Sequence, residues 1–175
     1  LNALRRLENA LDRRIITAVA NEQYLSSALK FADVIIGAAM AEGDRSPCWV
    51  TEEMVMGMKP GSVIVDTVID QGACIATSQA TTHSNPIYKA FDVTHYCVPN
   101  MPADVARTAT YALNNVLVPY ILAIGDAGGV KECLWGNSAL RNGTYSYKKH
   151  LTKKSLSKMF NMDYREIEML IASKI

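Results

Sequence analysis

No run of apolar residues in this sequence approaches the roughly 20 needed to cross a bilayer; stretches such as residues 34–40 fall far short. Charge of one sign is missing as well. The 18 Lys and Arg stand against 17 Asp and Glu, so no net field draws the chain to nucleic acid or to an anionic membrane. The four cysteines, Cys48, Cys74, Cys97 and Cys133, lie far apart, with no C-x-x-C and no histidine at metal-ligand spacing. That pattern argues against a metal site and favours reduced, mostly buried thiols in a cytoplasmic protein over disulfides. There is no signal-peptide pattern and no initiator methionine. The chain opens on Leu1 inside an amphipathic helix pattern that continues through Leu4, Leu7 and Leu11, an opening expected of a piece of something longer. Repeats and low-complexity tracts are absent too. What is there, 49% apolar and 20% charged residues over 175 positions, suits one ordinary globular domain with a real core and excludes disorder.

The most informative stretch is Lys59-Pro-Gly-Ser-Val-Ile-Val-Asp-Thr-Val-Ile-Asp-Gln-Gly72. Pro60 and Gly61 set a turn, Val63, Ile64 and Val65 supply a β-branched run, and Asp66 and Asp70 follow as the chain leaves it. In an open parallel sheet ligands sit beyond the carboxyl ends of the strands, which makes Asp70 the first candidate for chemistry. The plainer alternative is an aspartate capping the next turn. Asp66 reads as a residue that stabilises the turn.

Around this stretch, short apolar runs alternate with helical patterns. Residues 14–19 suit a strand, 21–31 a helix capped by Asn21, and Asp33-Val-Ile-Ile-Gly37 a strand buried on both faces. Residues 41–47 read as loop, Thr51-Glu-Glu as a helix start, and 92–98 as an alternating strand closed by Pro99-Asn100-Met101-Pro102. Four strands are therefore expected between 14 and 98, with helices in the first two crossovers and mostly loop in the third. The class is α/β, a Rossmann-like parallel sheet followed by a helical C-terminal segment. A long apolar-faced helix is expected over 103–126, kinked or broken at Pro119, then shorter helices at 130–135, 156–160 and 164–175 around a Tyr-rich connector. The lysines at 148, 149, 153 and 154 read as solvated surface rather than an anion patch. His83 reads as a turn histidine satisfied by its neighbours and His95 as a strand wall residue. Met54, Met56 and Met58 suit helix packing, and Arg107 a surface or interface ion pair.

In order and spacing, several segments together resemble one family: Asp33-Val-Ile-Ile-Gly-Ala, Val50-Thr-Glu-Glu-Met-Val, Met58-Lys-Pro-Gly-Ser-Val-Ile-Val-Asp, Ile69-Asp-Gln-Gly, Thr81-Thr-His, His95-Tyr-Cys-Val-Pro-Asn-Met-Pro and Arg107-Thr-Ala-Thr-Tyr-Ala-Leu-Asn-Asn. They are similar to the C-terminal half of the alanine dehydrogenases across nearly the whole chain, and the pair Met58-Lys-Pro-Gly-Ser-Val-Ile-Val-Asp and Ile69-Asp-Gln-Gly is shared with the α subunit of nicotinamide nucleotide transhydrogenase. The ending from Asn161-Met-Asp-Tyr-Arg-Glu favours the dehydrogenases. The resemblance implies that residues 1–102 are the second part of an NAD-binding Rossmann domain. It implies that 103–175 are a connecting helix and C-terminal helices of the substrate domain. It also implies reversible oxidative deamination of L-alanine to pyruvate and ammonia, in a cytoplasmic hexamer with NAD as cofactor.

By the same resemblance Asp70 matches the catalytic aspartate beside the nicotinamide. Ala39 and Met40 match the loop under the adenosine; Thr67, Val68, Ile69 and Asp70 match the strand-end contact. Val98, Pro99, Asn100 and Met101 match the turn at the nicotinamide end, with Asn100 as a hydrogen-bonding side chain. Two alternatives from other classes are a transhydrogenase component that binds NAD(H) without using an amino acid, and an inactive fragment that only folds or associates. Three departures stand out. Ala73 replaces a glycine of the family pattern, which matters if that position needs a positive φ. Ala20 replaces a serine found in some relatives. No G-x-G-x-x-G occurs in the sequence, so weak NAD binding is expected of these residues alone.

Overall fold

The computed structural model describes residues 2–11, 15–40 and 46–173. Helix α1 (Asn2–Ala10) buries none of its residues. Helix α2 (Glu22–Leu29) starts where the sequence places its cap, the Asn21 carboxamide oxygen accepting the Tyr24 N–H at 2.8 Å. Strand β1 (Val34–Gly37) leads to α3 (Glu52–Met56), where the Thr51 hydroxyl accepts the Met54 N–H and Glu52 and Glu53 in the first turn suit the helix dipole. Strand β2 (Val63–Asp66) follows the Pro60-Gly61 turn, where Gly61 takes φ 82°. Strands β3 (Ile87–Ala90) and β4 (Val93–Tyr96) complete the sheet.

The sheet order is β1-β2-β4-β3, with β1, β2 and β4 parallel and β3 antiparallel at the edge. The α/β, Rossmann-like expectation holds. Ile35, Ile64 and His95 share one rung, and Gly37 faces Asp66 on the last rung of the first pair. On that face Ile64 and Val93 pack with Leu29 of α2, Met54 and Val55 of α3, and Met58, with Leu25 and Ile35 at the margin. This cluster is the core that fixes the strand ends in place.

The fold departs from the sequence expectations at three places in the sheet region. Residues 15–19, the described part of the strand expected over 14–19, join no ladder; Arg14 lies outside the described residues. Ile16 is 92% exposed, and the Thr17 hydroxyl bonds the Glu8 carboxylate instead. A β-branched run forms a strand only when a partner edge and a packing surface receive it. Secondly, β1 is not buried on both faces: Val34 and Ile36 are 58% and 67% exposed. Among the described residues α2 and α3 cover only the other side. Thirdly, β3 occupies part of the crossover read as loop. It turns into β4 through Phe91 and Asp92, both at positive φ, a two-residue hairpin without the usual glycine or asparagine signal.

The C-terminal part begins with α4 (Ala106–Asp126), which runs unbroken through Pro119 and buries none of its residues. Helices α5 (Val130–Gly136) and α6 (Ser138–Gly143) precede a hairpin of β5 (Ser146–Tyr147) and β6 (His150–Leu151), then α7 (Lys154–Phe160) and α8 (Ile167–Ala172). Leu134, Ile167 and Ile171 form its small core, with Leu140 and Tyr147 packed against them. Among the described residues no single helix is long and apolar enough to cross a membrane.

Candidate functional site

Because β1, β2 and β4 run parallel, their carboxyl ends share one edge of the sheet. Ala39 and Met40 follow β1, Thr67 to Asp70 follow β2, and Val98 to Met101 follow β4, so all three expected stretches start from that edge. The Thr67 N–H and hydroxyl both donate to the Gly37 carbonyl, at 2.9 and 2.8 Å, tying the first two together. Met40, Thr67, Asp70 and Asn100 are exposed; Ala39, Ile69, Pro99 and Met101 are half-buried. The side chains of Val68 and Val98 belong to the interior, so either residue meets a ligand only through its backbone.

Asp70 sits in a single 3-10 turn, Ile69–Gln71, and its carboxylate has no partner among the described residues. Asn100 takes the left-handed conformation (φ 55°, ψ 48°), which asparagine tolerates better than most residues, and its carbonyl accepts the Ala103 N–H at 2.9 Å. Its carboxamide is likewise without a partner among the described residues. The turn after it is anchored by Asp104, which pairs with His83 Nδ1 at 2.9 Å and accepts the Tyr96 hydroxyl at 3.3 Å. His83 is thus the satisfied histidine the sequence suggests. Asp104 and Tyr96 carry no local sequence signal, and the end position of β4 brings them together. Arg107 lies over the Tyr111 ring on the surface of α4 rather than in an ion pair among the described residues.

Behind the exposed groups, Asp66 is fully buried and accepts the Val68 and Cys74 N–H groups. Burial pushes the neighbouring Cys74 thiol up from its ordinary value, keeping it protonated and unreactive. Gly72 and Ala73 have φ of 116° and 60°, so the position where the family pattern has glycine does require positive φ. Ala73→Gly is expected to stabilise the protein by about 1 kcal/mol by removing the Cβ strain, read as a raised urea midpoint at unchanged slope.

The loop continues to Thr77, whose hydroxyl meets His95 Nε2 at 2.8 Å; His95 Nδ1 lies 3.1 Å from the Val93 carbonyl. Since that carbonyl only accepts, Nδ1 carries the proton and Nε2 accepts from Thr77, a neutral imidazole. Tyr88 stacks on it at 4.8 Å, donates to the Thr77 carbonyl and accepts the Gln79 N–H. Burial lowers the His95 pKa below its ordinary 6.5. The unfolded chain therefore binds a proton below pH 6.5 that the folded chain refuses, and stability falls as pH drops from that point toward the depressed folded value. Denaturant midpoints are expected to be level above pH 6.5 and to decline below it, by at most about 1.4 kcal/mol per pH unit for one proton. In His95→Gln this component of the decline is expected to disappear.

Two open grooves lie elsewhere, both bordered by α8. One, of about 470 Å³, is lined by Trp135, Arg141 and Glu168 among others; the second, of about 530 Å³, is lined by His150, Tyr164 and Arg165 among others. Neither includes a residue of the strand-end edge.

The family model for the alanine dehydrogenase/PNT C-terminal domain matches residues 1–154. The chain is 44% identical over 167 residues to the alanine dehydrogenase of Bacillus subtilis (strain 168), covering 94% of this chain and 44% of that one. To the alanine dehydrogenase of Lysinibacillus sphaericus it is 39% identical over 169 residues, covering 96% and 45%. A solved L-alanine dehydrogenase matches with a TM-score of 0.79 at 36% identity, over 91% of this chain and 44% of the other. A transhydrogenase from Sinorhizobium meliloti, with a TM-score of 0.58 at 24% identity over 68% and 33%, shares the fold. The chain thus spans under half the length of these relatives.

Proposed function

Because the chain belongs to the alanine dehydrogenase/PNT C-terminal domain family, we propose that it is the C-terminal part of an NAD-dependent alanine dehydrogenase. Residues 1–102 would be the second part of the NAD-binding domain and 103–175 the connecting helix and C-terminal helices of the substrate domain. The observation that carries the reading is one carboxylate, Asp70, and one carboxamide, Asn100, exposed and without partners among the described residues, on loops leaving adjacent parallel strands.

These residues fit the two ends of the cofactor. The Asn100 carboxamide can donate to and accept from a second carboxamide, as nicotinamide carries, and Met40 offers exposed apolar surface for an adenine ring. The sequence holds no glycine-rich loop, so grip on the pyrophosphate is not assigned to these residues. NAD, when bound, supplies acceptance of the substrate's α-hydride. Asp70 then has the proton work: its carboxylate takes a proton from the water that adds to the imine carbon and returns one to the departing amine. Thr67 and the Asn100 turn orient the two sides of that reaction space. A homo-oligomer, a hexamer by the family resemblance, is the proposed setting of α4, whose apolar side chains are unburied. The free cysteines accord with a cytoplasmic location.

The test is an assay of the purified natural gene product. NADH formation that depends on L-alanine supports the reading. Hydride exchange between two nicotinamide nucleotides without any response to alanine would replace it with the transhydrogenase component.

A further inference from the structure

Asp66 is a fully buried carboxylate that the proposed chemistry does not touch. It stands opposite Gly37 on the last rung of β2, pointing into the interior. Such a group is costly to bury unless hydrogen-bonded, and its partners show what it is for. Oδ1 accepts the Val68 N–H at 3.1 Å and Oδ2 the Cys74 N–H at 3.2 Å, with the Cys74 thiol 3.9 Å from Oδ1. The two oxygens of one side chain thus hold both ends of a loop that carries Asp70.

The rest of the loop closes on this clamp. The Gln71 and Ala73 N–H groups both donate to the Val68 carbonyl, at 2.9 and 3.2 Å. From outside, the Ser46 N–H reaches the Gln71 carbonyl at 2.8 Å, and the Trp49 N–H reaches the Cys74 carbonyl at 2.9 Å. Gly72 and Ala73 hold left-handed conformations that a free alanine rarely adopts, so the surroundings must over-determine the loop. We propose that Asp66 is a positioning residue: by holding the Val68 and Cys74 amides it fixes the loop 67–74, and with it the place and direction of the Asp70 side chain. This rests on the reading of Asp70 as the proton-transfer group. Asparagine at position 66 has the same shape but offers one oxygen and one NH2, so it confronts one of the two amides with a second donor and releases that end of the loop.

The test is a double-mutant cycle in the natural full-length product, Asp66→Asn with Asp70→Asn. Asp66→Asn alone is expected to lower kcat about 100-fold, the order of loss that a misplacement near 1 Å produces, while the KM for NAD⁺ moves less than about threefold. In the Asp70→Asn background the same change is expected to cost less than about threefold, because a group acting through Asp70 has nothing left to position. An equal fractional loss in both backgrounds, or undiminished kcat in Asp66→Asn, overturns the positioning role. If Asp70→Asn itself leaves kcat intact, it is the reading of Asp70 that fails. Should Asp66→Asn not fold, amide exchange in the natural protein decides. Val68 and Cys74 amides as protected as those of β2 support the clamp; amides exchanging as freely as that of Asp70 overturn it.

Discussion

On the proposed reading, Asp70→Asn in the natural full-length product is expected to lower the rate of alanine-dependent NAD⁺ reduction by about 10² to 10⁴-fold, the range that general acid-base groups supply. The substitution keeps the size of the side chain and removes its ability to take a proton. Asp70 is exposed and makes no bond among the described residues, so the fold does not depend on it. Its unfolding free energy is expected to stay within about 0.5 kcal/mol, as for surface changes away from special features. NADH affinity is expected to hold as well, since the loss falls on the chemical step. Steady-state kinetics together with an NADH titration check both halves. A variant that keeps its kcat, or one that loses cofactor binding and rate in equal measure, contradicts a proton-transfer role.

The second large effect lies at Gly37, where β1 meets the loop that carries Asp70. A Cβ built there would stand 2.5 Å from Cys74 Sγ, 3.3 Å from Ile75 Cδ1 and 3.6 Å from Asp66 Cγ. The first distance is impossible without movement, and the crowded groups are all buried. Gly37→Ala is therefore expected to destabilise by about 1 to 3 kcal/mol, the usual cost of overpacking. Cys74→Ala removes the obstructing sulfur. The double variant is expected to recover most of the loss made by Gly37→Ala, a coupling visible in urea unfolding of the two single variants and the pair. A neutral Gly37→Ala would contradict tight packing between the β1 end and the loop.

These two sites differ in how far the sequence could show them. Asn21 was legible as a cap and Thr51-Glu-Glu as a helix start because an N-cap is a contact across three residues, written locally. The Pro60-Gly61 turn and the run from Val63 to Asp66 were legible for the same reason. Asp70 and Asn100 stood out through the family resemblance and the rule that ligands lie beyond the ends of parallel strands. Ala73 was a conditional reading that its φ of 60° decides.

What escaped needed three dimensions. Ile15 to Val19 have strand composition, but composition does not supply a neighbouring edge. The continuous run in β1 does not say which face a helix will cover, and Val34 and Ile36 stay open. β3 hides because its hairpin turns on Phe91 and Asp92 instead of a glycine pair. The Asp66 grip on Cys74 spans eight residues, and the meeting of His83, Tyr96 and Asp104 joins a loop, a strand end and a turn. No spacing in the sequence encodes either.

The most direct test of the central claim is a crystal structure of the natural full-length product with NADH. The nicotinamide ring is expected against the edge formed by residues 67–70 and 98–101, with the Asn100 carboxamide at hydrogen-bond distance, about 3 Å, and the Asp70 carboxylate facing the reacting carbon. NADH seated in the grooves beside α8, or anywhere that leaves both Asp70 and Asn100 in solvent, would contradict it.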